Sequence, residues 1–86
     1  MITTYRVLYW QEVPSQIKAE DAHDDVSLTL APRFMERIDR LAAERGLQSA
    51  DDYLAQWQWS EDHEREGAAL DVAEAVRAEL EAAADW

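Results

Sequence analysis

Between Tyr5 and Lys18 the chain reads Tyr-Arg-Val-Leu-Tyr-Trp-Gln-Glu-Val-Pro-Ser-Gln-Ile-Lys, dense in aromatic and β-branched residues and broken by one proline. Such residues suit a pleated surface and lose side-chain freedom in a helix, so the run is expected to form strand. Alternation along a strand puts Tyr5, Val7 and Tyr9 on one side and Leu8 and Trp10 on the other. With both sides apolar, Thr3–Gln11 is expected to be a strand covered on both faces. Pro14-Ser15 then supplies a turn, and Gln16–Glu20 returns with Ile17 and Ala19 inward and Lys18, the sole lysine, outward.

Past the polar loop Asp21–Asp25, Val26-Ser27-Leu28-Thr29-Leu30 alternates strictly and predicts a third strand. Pro32 suits the first turn of a helix, and Phe34, Met35, Ile38, Leu41 and Ala42 recur at helical spacing behind it. Gly46 is placed for a left-handed helix stop, with Leu47 folding back onto the last turn. Ser49 followed by Asp52 predicts a capped start for a second helix, near Ala50–Glu64, whose buried candidates are Tyr53, Leu54 and Trp57. The charged run Ser60–Gly67 ends in a breaker. Ala69, Ala73, Val76, Leu80 and Ala83 then form a thin seam on a third helix near Ala68–Ala83, expected to fray when alone.

At 86 residues the chain is one domain, strand-rich over 1–30 and helical over 31–86. A domain this small buries only roughly 60–65% of its unfolded surface. It has no cysteine, so disulfides, thiolate-bound zinc, iron–sulfur ligation and thiol catalysis are excluded. No apolar run is long enough to span a bilayer and no secretory pattern opens the chain, so a cytoplasmic location is expected.

The net charge of −11 is unevenly spread. Residues 1–25 carry two basic and five acidic side chains, residues 26–48 four and three, and residues 49–86 two and eleven. That field repels phosphates and anionic membrane and favours a cationic protein partner; it also keeps a small domain soluble by self-repulsion.

Catalytic arrangements are not apparent. Two glycines leave no phosphate-cradling loop, and the paired acids lie in runs that water reaches. His23 among Asp21, Asp24 and Asp25, and His63 among Glu61, Asp62, Glu64 and Glu66, lack ligand spacing for a metal and read as solvated loops. No enzyme activity, metal or cofactor is therefore expected. Arg33, Arg37 and Arg40 share a helix face and are expected to pair with the chain's own acidic helices.

Four tryptophans in so short a chain call for an explanation. Trp57 fits the stripe of the second helix, whereas Trp59 would point roughly 200° away from it. Exposed tryptophan on a small domain marks contact surfaces, so Trp59, Trp86 and then Trp10 are candidate protein-contact residues, with Asp51 and Asp52 as acidic neighbours. The competing reading has Trp10 and Trp59 closing a small core.

The opening Tyr5, Val7 and Trp10 with Val13-Pro14, Gln16, Ile17 and Lys18 resembles the start of the small bacterial "virulence factor" family. The likeness continues through Arg33-Phe34, Ile38-Asp39, Arg45-Gly46-Leu47 and Asp51-Asp52-Tyr53-Leu54-Ala55-Gln56-Trp57. It then runs from Glu66-Gly67 through Val72–Val76 to Glu79-Leu80-Glu81. The resemblance implies an association with pathogenicity but no catalytic residue. Related segments in larger proteins lie beside domains similar to iron–sulfur scaffolds and helical repeats, which implies an adaptor. Val26–Trp57 also resembles, more loosely, the ribbon-helix-helix DNA-binding module, with Ser27 and Thr29 at its base-reading positions. Asp51 and Asp52 would then stand where phosphate is gripped, which argues against nucleic acid.

The sequence thus predicts an α+β fold, a small antiparallel sheet of about three strands with two or three helices packed on it. The expected function is a non-catalytic acidic interaction module, adaptor or accessory subunit to a larger enzyme or scaffold. A ribbon-helix-helix-like regulator and an accessory to a cofactor-assembly or methyl-transfer enzyme are the alternatives. A homodimer through Val26–Leu30 is left open, and no membrane partner is expected.

Overall fold

The alternating segments of the first third of the chain fold into an antiparallel meander, in a computed structural model that describes residues 1–86. The elements in order are β1 (Ile2–Trp10), β2 (Val13–Glu20), β3 (Asp25–Thr29), α1 (Pro32–Glu44), α2 (Ala50–Ala55), β4 (Trp57–Trp59), β5 (His63–Glu66) and α3 (Ala69–Ala83). The α+β class is as the sequence predicts, but the sheet has five strands rather than about three. Its order is β3-β2-β1, with β4 and β5 both paired along the far side of β1.

The added strands come from the segment expected to continue the second helix to Glu64. That helix stops at Ala55, and β4 pairs with Leu8–Trp10 while β5 pairs with Ile2–Tyr5. Ser60 joins them: its N–H donates to the Val7 carbonyl at 2.8 Å, and its Oγ accepts from the Val7 N–H at 2.9 Å. Tertiary pairing overrides helix propensity here because β1 has an open ladder to fill. Trp-Gln-Trp has a period of two, so as a strand both indoles share one side, whereas a helix would strand Trp59 away from Trp57.

The β1–β2 turn also differs from expectation. It falls at Gln11-Glu12, with Gln11 at a left-handed φ of 53°, and Pro14 lies inside β2 opposite Tyr9. The pairing register shifts between Leu8 and Tyr9, and a proline with no N–H to offer is tolerated at such a bulge. Gln11 is held by the Gln56 side chain at 3.0 Å and by Arg45, which donates to its Oε1.

The α1 stop matches its sequence signal. Gly46 has φ 68°, its N–H donates to Ala43 O and the Leu47 N–H donates to Ala42 O, a Schellman closure. The Ser49 Oγ accepts from the Asp52 N–H at 3.3 Å to start α2. Gly67, at φ 126°, separates β5 from α3, and a Cβ there would meet Val72 Cγ2 at 3.2 Å.

One cluster of buried residues holds the molecule together. Val7, Ile17 and Ala19 lie under Ala69, Val72, Ala73 and Val76 of α3, whose small side chains bring the helix close to the sheet. Phe34, Ile38, Leu41 and Ala42 of α1 close the hairpin end around Val13. The expectation that β1 is covered on both faces holds only at Trp10, which is 0% exposed, donates its indole N–H to the Tyr53 carbonyl at 3.0 Å and stacks 5.6 Å from the Tyr53 ring. Arg6 and Leu8 stay half-exposed, on a face no helix covers. The 16 Å shortest dimension is that of one sheet and one helix layer.

Trp10→Ala is expected to cost about 3–5 kcal/mol, enough to unfold most of a domain this small. Trp59→Ala should cost less than about 1 kcal/mol. Urea titrations followed by far-ultraviolet circular dichroism measure both, and similar losses for the two variants would contradict the burial of Trp10.

Candidate functional site

The bare face is built by alternation. Thr4, Arg6 and Leu8 of β1, Gln16, Lys18 and Glu20 of β2, and Ser27 and Thr29 of β3 all point away from α3, whose side carries Val7, Ile17 and Leu28. Trp59 joins them from β4, directly opposite Leu8. Its indole is 37% exposed, and the Arg6 guanidinium carbon lies 4.7 Å from the ring centroid. That contact fixes the ring and leaves its far side to water.

Arg6 also stands directly opposite Lys18 across the β1–β2 ladder. Like charges so placed are destabilising, and neither forms an ion pair with a carboxylate. A depression of about 310 Å³ over them is lined by Thr4, Tyr5, Arg6, Lys18, Glu20 and Asp62. Asp62 borders it, and the adjacent Glu61 lines a neighbouring depression with Trp59, so cationic and anionic groups flank one exposed indole. Lys18 is outward-facing, as its alternation predicts.

Trp86 sits elsewhere. It is 38% exposed, meets Phe34 edge-on at 4.7 Å and lies under the Arg37 guanidinium at 5.5 Å. It borders an apolar groove of about 280 Å³ between the hairpin turn, α1 and the end of α3. Asp51 and Asp52 are exposed at the start of α2. Trp10 offers no surface to a partner and takes the core role instead. The five candidate contact residues therefore do not form one patch: Trp59 and Trp86 line different depressions, and Trp10 is interior. Arg6 carries no sequence signal for this role: alternation puts it on the Leu8 side of β1, but nothing local places Trp59 beside Leu8.

The arginines pair differently from expectation. Arg33 donates to the Glu81 carbonyl at 2.8 Å and Arg37 covers Trp86, so neither forms an ion pair with an acidic side chain. The two side-chain ion pairs are Arg45–Glu12 and Arg65–Glu79, each at 2.7 Å and each doubly hydrogen-bonded. Arg45 holds the Glu12 carboxyl at about 2, well below its usual 4.5. Arg65 likewise lowers Glu79.

Asp21 has a structural duty that its loop position did not reveal. Its carboxylate accepts from the Ala69 N–H at 2.8 Å, capping α3, and from the His23 and Asp24 N–H groups at 2.7 Å each, which lowers its pKa. His63 lies 5.4 Å from Tyr5 in ring contact, and neither histidine side chain makes a hydrogen bond. No group of three or more His, Asp or Glu side chains is arranged to hold a metal. The strand–helix–helix order of the ribbon-helix-helix comparison is present as β3, α1 and α2, with β3 already paired to β2 on one edge and α2 only six residues long. No helix is long and apolar enough to cross a membrane.

Fold and surface together define a small two-layer α+β domain with one face of its sheet uncovered. A family model described as "Virulence factor" matches residues 8–85, and the chain belongs to that family. No curated protein and no solved structure matches it.

The Glu12–Arg45 pair makes a pH prediction. The folded pKa is depressed, so its contribution is present above about 4.5 and lost as pH falls towards about 2. Both side chains are substantially exposed, at 61% and 38%, which limits the effect to roughly 0.2–1 kcal/mol. The stability difference between the protein and Glu12→Gln should therefore shrink across that window in urea titrations. A difference constant from pH 6 to pH 2 would rule the pair out as its source.

Proposed function

We propose that the protein is a non-catalytic interaction module, an adaptor or accessory subunit that docks on a larger enzyme or scaffold through the Arg6–Trp59 patch and its acidic border. The supporting observation is the indole of Trp59, held by Arg6 on an otherwise uncovered sheet face. Tryptophan and arginine dominate binding energy at protein interfaces when they sit in a desolvated centre, and a pre-positioned ring loses little freedom on binding. Leu8 supplies apolar surface beside it, while Lys18, Glu61 and Asp62 supply charges of both signs at the rim. Asp51, Asp52 and the surplus acids of α3 set the long-range field, which steers a basic partner surface towards the molecule. Trp86 with Arg37 repeats the indole–guanidinium arrangement at a second, smaller contact.

The proposal is tested by a photo-crosslinking amino acid at position 59 in cells that make the protein, with position 54 as control. Leu54 is more exposed, at 63%, but lies on α2 away from the patch. A discrete adduct from position 59 alone is expected. With the captured partner purified, Trp59→Ala should weaken binding by about 30-fold, the scale of an interface hot spot. The same adducts from both positions, or none from position 59, would remove the support for docking here.

A further inference from the structure

The outer edge of β3 has no strand paired to it. The Leu30 N–H donates to Ser15 O at 3.0 Å, and the Asp21 N–H donates to Asp24 O at 2.9 Å. Antiparallel pairing alternates, so the even-numbered residues of β3 turn their backbone groups to β2, and Asp25, Ser27 and Thr29 turn theirs outward. All three are exposed, and their N–H and C=O groups form a ladder without a second rail.

We infer that the protein forms a two-fold homodimer in which the β3 edges of two copies pair antiparallel about Ser27, joining two five-stranded sheets into one. In this register Ser27 faces Ser27 of the second copy, Asp25 faces Thr29, and Val26 faces Leu28. Each outward residue then exchanges both of its backbone bonds, and no like charges stand opposite one another. Centring the pair on Asp25 instead would set Asp25 against itself, which is unfavourable. Val26 and Leu28, half-exposed in one copy, would be covered by their counterparts.

The helix layer fits the same axis. α3 packs on β2 and β3 and, less extensively, on β1. With strands about 4.8 Å apart, the two copies of α3 would run antiparallel roughly 10–14 Å apart, near enough for long side chains to meet across the axis. Which side of α3 faces the axis is settled by its neighbours. Glu79 pairs with Arg65 of β5, across the sheet, whereas the Glu81 carboxylate accepts from the Ala31 N–H just beyond β3 at 2.8 Å. The line through Glu81 at helical spacing is Leu70, Glu74, Arg77 and Glu81.

Ala69 sits by Asp21 at one end of β3 and Glu81 by Ala31 at the other, so Glu74 and Arg77 lie near the level of Ser27. Opposed antiparallel, Glu74 of each copy meets Arg77 of the other. Arg77 has no ion-pair partner within one chain, and Leu70 is 48% exposed on the same line. The charge of −11 per copy opposes association. The acidic Asp21–Asp25 turns, however, fall at opposite ends of the paired strands, farther apart than the screening length of about 8 Å at physiological salt. The inference does not depend on the docking reading, whose patch lies on the β1–β4 side of the sheet.

Because the chain has no cysteine, one substitution reports the register. Residues directly opposite in a hydrogen-bonded pair have Cα atoms about 5.5 Å apart, within disulfide reach. Ser27→Cys should therefore form a disulfide-linked dimer under mild oxidation. Thr29→Cys alone should not, but mixed with Asp25→Cys it should.

Light scattering should give about 20 kDa for the unmodified protein, twice its 9.9 kDa chain. Glu74→Arg should weaken the dimer about 10-fold, and Glu74→Arg/Arg77→Glu should restore it. A 9.9 kDa species at millimolar concentration, with Ser27→Cys linking no faster than Leu54→Cys, would overturn the inference. So would amide protection of β3 that appears only on adding a partner protein, which would assign the edge to a strand of that partner.

Discussion

The two-sided hydrogen bonding of β1 is the constraint on which the rest of the molecule depends. Its residues are apolar or aromatic at most positions, and left at an edge they would offer a flat, sticky ladder to any other strand. One side is filled locally by the β2 hairpin. The other is filled from about fifty residues downstream, by β4 and β5 with Ser60 between them. This long return holds α2 to a single short helix, carries Tyr53 over Trp10, and brings the chain back to the position from which α3 crosses the sheet.

Once that frame is set, several acids serve as remote helix caps. Neither α1 nor α3 has a capping side chain of its own, and alanine occupies both N-cap positions. Asp21 of the β2–β3 turn supplies the acceptor for α3, and Glu81 of α3 supplies one for the Ala31 N–H at the start of α1. Each carboxylate also lies favourably towards the positive end of a helix. Part of the negative surplus is therefore structural, and it ties the β2–β3 turn, α3 and α1 into a chain of contacts around the small core. The three strands, α1, its glycine stop, the Ser49 cap and α3 were legible because each rests on local spacing: alternation, helical period and turn chemistry. The caps at Ala31 and Ala68 were not legible, because a non-local carboxylate leaves no pattern within the helix it serves.

The second half of the expected second helix shows where local reading runs out. Ser49 and Asp52 announce a helix correctly, but nothing nearby announces that it lasts six residues. The stop is decided by β1, about fifty residues upstream, whose open ladder recruits Trp57–Trp59. One local sign was present: indoles two apart cannot share a helical stripe, and they share a side only in a strand. The same non-local pairing builds the site: a helical Trp59 would have no strand beside it, whereas on β4 it has Leu8 and Arg6 as neighbours. Trp86 and the acids Asp51 and Asp52 were placed on the surface by composition, but composition carries no information on whether they lie together, and they do not form one patch with Trp59.

The uncovered face follows from arithmetic of layers rather than from incomplete folding. Five strands present two faces, and the chain has two helices of useful length, both committed to the face that carries Val7, Ile17 and the hairpin end. The sequence is adapted to this, since the outward positions other than Leu8 are Thr4, Arg6, Gln16, Lys18, Glu20, Ser27 and Thr29, which water solvates without cost to the core. Against that polar ground, an exposed Trp59 is not required for folding, and two facing cations, Arg6 and Lys18, work slightly against it. Trp59 and the facing Arg6 and Lys18 are thus features of this face that stability does not ask for, whereas the ring of Trp86 packs edge-on against the buried Phe34.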